Sequence, residues 1–490
     1  MIARPASPAG MDAASFAGLT FGQLTGGAVI AAIFAAAAAA ILLAKGAALA
    51  LAVLGGGLYV AFLFTAPPFC LALLLVILIP FNSLIAQLLG GFESSSREWF
   101  TVWKEALLAV GMLRVFWRAR NRRAIIAANA WVLAAGAVLI AVYLAALVWK
   151  PSTAGIFALS LETKYIPVML FFLFLGLDAK SIARLLHAMV WSVGLVALYG
   201  LVQYKWDYDR LLPLVYSAPD LLTDTSRRLY SYSLTPLDPA FGVVIASLIL
   251  FTGAGRIKLP AAAAWFAILA PCLLFTYTRS AYLGLLAGIA IVCITDSGRL
   301  RRHAAVVGVA LTLVVALLLF GGTGVRNSDI GQRFQSIFLQ TDLSSTVHKE
   351  RMARAVDVIE KHPFGIGLGA YGTVQARFVG GSDVADWAEN AVLQVTVETG
   401  LVGGFAYLAF TATVLVALLR PRHRRNEEER LVAVCAGAVL VAMTLIGMVL
   451  PVWDEFFPLF YAWTLAGLAM ASGCAASPRE IPAQAGLHFT

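Results

Sequence analysis

A polar, glycine-punctuated stretch from Arg351 to Gly403 interrupts an otherwise apolar chain, and its residue types could bind a phosphate and move a proton. Arg351 stands at its start, and a guanidinium can bind phosphate oxygens through two parallel hydrogen bonds. Glu389, and His348 just before the stretch, are side chains that accept protons from hydroxyls. Asn390 could orient such a hydroxyl. The stretch therefore predicts a site that binds an anionic group and performs general base chemistry.

Glu389 has a second interpretation, because it directly precedes a predicted apolar helix. A carboxylate at a helix N-terminus is stabilised by the helix dipole and by the first backbone N–H groups. The sequence alone leaves the catalytic and the capping interpretation of Glu389 open.

Further arginines could complete an anion site. Arg279 lies in a short turn between two predicted spans, so it has little freedom to leave that position. Arg227 and Arg228 lie in a long loop beside Tyr230, and Arg354 follows Arg351 on the same predicted helix face. Several guanidinium groups around one cavity predict a lipid pyrophosphate ligand. The alternative for each single arginine is solvated surface charge.

The elements that must position these residues are membrane helices. The 490 residues are 60% hydrophobic and only 13% charged, and about 20 apolar residues cross a bilayer as a helix. The sequence predicts an all-α, polytopic integral membrane helical bundle of about 14 transmembrane helices. The predicted spans are 26–43, 47–65, 68–90, 99–116, 124–148, 157–177, 182–203, 237–254, 260–276, 279–295, 303–320, 391–418, 430–450 and 455–472.

Basic residues fall mainly in alternate loops, which the positive-inside rule assigns to the cytoplasm. The opposite set contains both long loops, 204–236 and 321–390, which are therefore predicted to be extracytoplasmic, with both termini cytoplasmic. We expect one membrane domain, residues 1–490. The second long loop carries enough apolar side chains to fold as a small helical cap, with disorder as the alternative.

Ionisable groups inside a span are costly unless they are paired or hydrated. Six such groups are predicted to lie one to two turns inside the outer ends of their spans: Lys104, Glu105, Glu162, Lys164, Asp238 and Glu398. They predict one hydrated cavity open to the outer face, and the alternative is six separate snorkelling or paired groups.

The composition also argues against several other kinds of site and ligand. The five cysteines show no C-x-x-C spacing, so neither a disulfide nor a zinc site is predicted. The net charge of +9 is explained by basic loops between spans and does not indicate nucleic acid binding. The N-terminus lacks a basic segment followed by a cleavage site, so we expect it to be retained.

Three motifs carry a family resemblance. They are T-Y-T-R-S-A-Y-L-G at 276–284, R-x-x-x-A-x-x-x-I-x-x-x-P-x-x-G-x-G at 351–367, and E-N-x-x-L at 389–393 followed by E-T-G-L-V-G at 398–403. Their order and their placement around one large outer loop resemble the O-antigen ligase and O-antigen polymerase superfamily. The resemblance covers roughly the C-terminal half of the chain.

The resemblance implies an inner-membrane enzyme that transfers a glycan from undecaprenyl pyrophosphate to an acceptor hydroxyl on the periplasmic side, without a metal or cofactor. Arg279 and Arg351 resemble the arginines that would bind the pyrophosphate, and Pro363, Gly365 and Gly367 resemble the family's turn. Many members carry His-Asn where this chain has Glu389-Asn390, and Glu389 is therefore the candidate base, with His348 as a second choice.

Several alternatives remain open at this stage. We favour an O-antigen or exopolysaccharide polymerase over a ligase to lipid A core, and a protein-glycosylating ligase is a third choice. A flippase and a chain-length regulator are possible partners of a polymerase. The pair Asp207 and Asp209 could instead hold a divalent cation in a metal-dependent glycosyltransferase. A lipid-linked glycan flippase is the non-enzymatic alternative.

Overall fold

The computed structural model describes residues 47–85, 103–119, 122–206, 229, 231, 236–295, 343–379, 388–420, 426–450 and 456–472, and these residues form helices and no strand. The prediction of an all-α chain is confirmed for them. The helices are α1 (Ala47–Thr65), α2 (Pro68–Leu78), α3 (Trp103–Arg118), α4 (Arg122–Ala128), α5 (Ala130–Trp149), α6 (Thr153–Thr163), α7 (Tyr165–Phe174), α8 (Ala179–Trp206), α9 (Leu237–Thr252), α10 (Leu259–Thr276), α11 (Arg279–Thr295), α12 (Leu343–Lys361), α13 (Gly372–Val379), α14 (Ala391–Leu419), α15 (Glu427–Gly447) and α16 (Phe456–Ser472).

The protein is a membrane protein by the length and apolarity of its helices. Within the described residues, 7 helical segments are long and apolar enough to cross a bilayer, and shorter apolar helices accompany them. Helices occur at every predicted span except 26–43 and 303–320, which lie outside the described residues.

Small residues let two of the apolar helices approach closely. α11 packs along α15, and a Cβ added to Gly284 would lie 3.2 Å from the Ala442 carbonyl oxygen. One turn further along, a Cβ on Gly288 would lie 3.3 Å from the Ala438 carbonyl oxygen. Because residue numbers rise on α11 as they fall on α15, the two helices are antiparallel. The start of α11 therefore lies at the same end of the bundle as the end of α15.

Two of the predicted spans are each divided into two helices. The predicted 124–148 span is divided at Asn129, where the backbone leaves helical geometry. The predicted 157–177 span is divided at Lys164, between α6 and α7. Hydropathy windows report composition over a whole span, so they do not detect a break at one residue.

A third interruption lies inside α14 and organises the region that carries the polar motifs. Gly400 has φ 77° and ψ −179°, so the helical hydrogen-bond ladder stops there. In a continuous helix the N–H of Leu401 would donate to the carbonyl of Val397. Here Leu401 N–H donates to the Pro363 carbonyl (3.0 Å), and the Val397 carbonyl accepts instead from the N–H of Ile366 (2.9 Å).

The segment Pro363–Gly369, which we call the glycine turn, therefore completes the broken helix. Gly367 N–H donates to the Glu398 carbonyl (3.1 Å) in the same way. A Cβ on Gly365, whose φ is +88°, would lie 2.5 Å from the Glu398 carbonyl oxygen, so glycine is required for this close approach. The glycine turn and α14 thus form one hydrogen-bonded unit.

A small apolar cluster places α12 beside the same part of α14. Its buried members are Ala355, Tyr371, Ala388 and Val397, which are separate from the main core. Ala355 lies on α12 and Val397 on α14, so burial of these groups fixes the position of α12 against the first turns of α14.

Candidate active site

Three of the predicted site residues meet at one point. Glu389 is buried, with only 7% of its side chain exposed, and its Oε1 accepts a hydrogen bond from Nη1 of Arg351. Its Oε2 lies 3.1 Å from Nδ1 of His348. The side chains of His348 and Arg351 are 35% and 29% exposed. A buried carboxylate thus lies between a guanidinium and an imidazole that both reach the surface. We call His348, Arg351 and Glu389 the Glu389 cluster.

The local sequence explains how the three side chains converge. His348 and Arg351 are three residues apart on α12, so they project from one face of that helix. Glu389 has a positive φ of 48°, a conformation that costs a residue with a Cβ roughly 1–2 kcal/mol. The surrounding contacts hold Glu389 in this conformation.

Asn390 has a structural role that the sequence prediction did not include. It is the N-cap of α14, and its side-chain oxygen accepts from the N–H of Leu393 at 2.9 Å. Its Nδ2 donates to the carbonyl oxygen of Met448, just beyond α15, at 2.8 Å. The capping role that the sequence left open for Glu389 is therefore performed by Asn390, and Asn390 also ties the start of α14 to the end of α15.

Arg279 is the first residue of α11. Because α11 and α15 are antiparallel, the start of α11 lies at the end of α15 that Asn390 contacts. The turn before it is tight, since Tyr277 has a left-handed φ of 52° and ends α10. Arg279 and the Glu389 cluster therefore share one end of the bundle.

Glu398 anchors the glycine turn from within α14. It is fully buried, and its Oε2 accepts from the N–H of Gly369 at 3.1 Å. The carboxyl groups of Glu398 and Glu162 are close enough to interact electrostatically, and Glu162 also interacts with Tyr143. Two of the six predicted intramembrane groups are thus brought together.

The other predicted cavity residues have different surroundings. Nζ of Lys104 is 3.2 Å from a carboxylate oxygen of its neighbour Glu105 on α3. Nζ of Lys164 lies over the ring of Tyr165, 5.1 Å from its centre. Each of these lysines therefore has one polar or aromatic neighbour next to it in the sequence, and the single hydrated cavity stays a prediction.

Sequence reasoning missed Lys150, which follows α5. Its Nζ lies 3.2 Å from the carbonyl oxygen of Ile366 and 3.5 Å from that of Gly365, so it binds the outer side of the glycine turn. A lysine at the end of a span is ordinarily assigned to the membrane interface, and only the tertiary contact shows its second role.

Nη2 of Arg354 lies 3.9 Å from a carboxylate oxygen of Glu350, and its side chain is largely exposed. The predicted pyrophosphate ligands Arg227 and Arg228, and the pair Asp207 and Asp209, lie outside the described residues.

A comparison with protein families agrees with this geometry. Residues 262–408 match the family model described as O-antigen ligase, and the matched segment includes Arg279, His348, Arg351, Glu389 and the glycine turn. This match confirms the predicted resemblance to the O-antigen ligase and polymerase superfamily over residues 262–408. The matched segment contains His348, Arg351 and Glu389, and also the interruption of α14 at Gly400 with the glycine turn that completes it. No curated protein matches the chain.

Proposed function

We propose that this protein is a membrane glycosyltransferase that moves a glycan from undecaprenyl pyrophosphate to an acceptor hydroxyl at the periplasmic face of the bacterial inner membrane. The observation that carries the proposal is the contact of Arg351 and His348 with the buried Glu389, at the bundle end where Arg279 begins α11. This arrangement offers cations for a leaving pyrophosphate and a proton acceptor within one cluster.

The proposed reaction is a direct displacement with inversion at the anomeric carbon. The acceptor hydroxyl loses its proton to the cluster, its oxygen bonds to the anomeric carbon, and the bond from that carbon to the pyrophosphate oxygen breaks. Arg279 and Arg351, with Arg227 and Arg228 as further proposed ligands, stabilise the negative charge that develops on the leaving group.

The arginine roles are tested with purified protein in nanodiscs and lipid-linked glycans extracted from membranes of the native host. We expect Arg279→Lys and Arg351→Ala to reduce release of undecaprenyl pyrophosphate by about a hundredfold to a thousandfold, the range seen when a positioned charge-stabilising group is lost. Arg354→Ala is the matched control on the same helix, because Arg354 is exposed and pairs with Glu350. Near-normal release from both Arg279→Ala and Arg351→Ala would remove the arginines from the mechanism.

The same assay addresses the cofactor and the acceptor. We propose that the reaction needs no metal, so turnover in EDTA should equal turnover in magnesium, and a requirement for magnesium would instead favour the Asp207 and Asp209 pair.

A ladder of repeating units as product would indicate a polymerase, which we favour, acting with a flippase and a chain-length regulator. A single added glycan on lipid A core would indicate a ligase in lipopolysaccharide synthesis.

A further inference from the structure

We propose that His348 is the catalytic base and that Glu389 is a positioning residue that holds its imidazole. This inference rests on the proposed function and assigns the proton transfer within it. The sequence analysis placed the base at Glu389 and kept His348 as a second choice.

The surroundings of Glu389 make it a poor acceptor for a substrate proton. Only 7% of its side chain is accessible to solvent. Oε1 is bound by the Arg351 guanidinium, and Oε2 faces Nδ1 of His348 at 3.1 Å. Each carboxylate oxygen already faces one of these partners, and burial leaves little of the side chain open to an acceptor hydroxyl.

His348 has the accessibility that Glu389 lacks. About a third of its side chain is exposed, while the Nδ1 atom itself is buried and lies 3.1 Å from Oε2 of Glu389 without the alignment of a hydrogen bond. The exposed part of the ring is therefore the part away from Nδ1. A neutral imidazole that directs its Nδ1–H towards a carboxylate keeps the lone pair on Nε2, which is the nitrogen that can take a proton from a substrate.

The acceptor O–H proton passes to Nε2 of His348 as the acceptor oxygen bonds to the anomeric carbon. The electron pair of the breaking carbon–oxygen bond stays on the pyrophosphate beside Arg351. The imidazolium is stabilised by the Glu389 carboxylate and then releases its proton to water. Glu389 acts through His348 and need not touch the substrate.

The test uses the full-length protein in nanodiscs with the same extracted lipid-linked glycans. We expect His348→Ala to lower kcat by about a hundredfold to ten-thousandfold, the span for loss of a positioned base, with little change in KM for the donor. Added imidazole should restore part of the lost rate in His348→Ala, because it can occupy the space of the missing ring. His348→Gln fills that space and should not be restored.

Glu389→Gln separates the two roles. It should lower kcat because the neutral amide no longer stabilises the imidazolium, and added imidazole should not restore its activity. His362→Ala is the matched control, since His362 is an exposed histidine at the end of α12 and outside the cluster. It should retain wild-type kcat and show no response to imidazole.

Two results would overturn the assignment. The first is His348→Ala activity within about threefold of wild type while Glu389→Gln is inactive, which would return the base to Glu389. The second is a loss in His348→Ala that appears as weaker donor binding and is not restored by imidazole. Failure of the proposed function would look different, because the wild-type protein itself would then release no undecaprenyl pyrophosphate.

Discussion

Replacement of Gly365 by alanine should separate the glycine turn from α14. Gly365 has φ +88°, and an added Cβ would lie 2.5 Å from the Glu398 carbonyl oxygen and 2.7 Å from the Gly400 nitrogen. Both atoms are backbone, so neither can rotate away. We expect about 1–2 kcal/mol from the left-handed conformation and about 1–3 kcal/mol from overpacking. The total loss of stability is therefore about 2–5 kcal/mol.

Gly253→Ala is the matched control, because Gly253 also has a positive φ, +66°, but a Cβ there would meet no atom within 4 Å. Gly253→Ala should lose only the stability that the left-handed conformation costs, about 1–2 kcal/mol. The unfolding midpoints of both variants can be compared by fluorescence-detected size-exclusion chromatography after heating. Equal midpoints would refute the close approach of the turn to α14.

Glycan transfer gives a second measure of the effect of Gly365→Ala. The glycine turn follows α12, which carries His348 and Arg351, so displacement of the turn should also displace these side chains from Glu389. We expect Gly365→Ala to lose glycan transfer in the surviving folded fraction, and Gly253→Ala to retain it. Full transfer by folded Gly365→Ala would contradict the positioning role of the turn.

Three other predictions concern topology and helix ends. Single cysteines near Ser217 and Gly381 in a cysteine-free background should react with an impermeant maleimide in intact spheroplasts, and labelling only after lysis would contradict a periplasmic position of both loops. Asn390→Asp keeps the cap acceptor but loses the bond to Met448, so it should lower stability by about 0.5–1.5 kcal/mol, whereas Asn390→Ala should lose about 1 kcal/mol more. The hydrogen bond from Ser181 lowers the pKa of Asp178; its stabilising effect should therefore be present above the unfolded pKa and be lost as pH falls, and this loss should be absent in Asp178→Asn.

Two of the apolar helices could be predicted from the sequence almost to the residue. The predicted 279–295 and 391–418 spans are observed as Arg279–Thr295 and Ala391–Leu419, because a helix in lipid must satisfy its backbone within one apolar segment. The interruption at Gly400 could not be predicted in the same way. Its unpaired backbone groups are satisfied by Pro363 and Ile366, and this pairing exists only in the folded molecule.

The candidate site was predicted residue by residue but not as an arrangement. Arg351, Glu389 and His348 were all candidates, since their chemistry is evident from residue type. The role of each residue depends on the burial and orientation of its side chain, and neither can be read from the local sequence. The sequence analysis placed the base at Glu389, the more buried residue, and the exposed fractions of Glu389 and His348 are the basis on which we propose the opposite assignment.

The interruption of α14 also sets an order of biogenesis. In lipid, each unsatisfied backbone group costs several kcal/mol, so α14 with its break at Gly400 needs donors for the carbonyls of Val397 and Glu398. The donors belong to Ile366 and Gly367, which precede α14 in the chain. The ribosome therefore makes the donor segment first, and the donors are available when α14 leaves the insertion machinery. A circular permutant that moves the glycine turn behind α14 would reverse this order, and its insertion should be delayed until the turn has been synthesised.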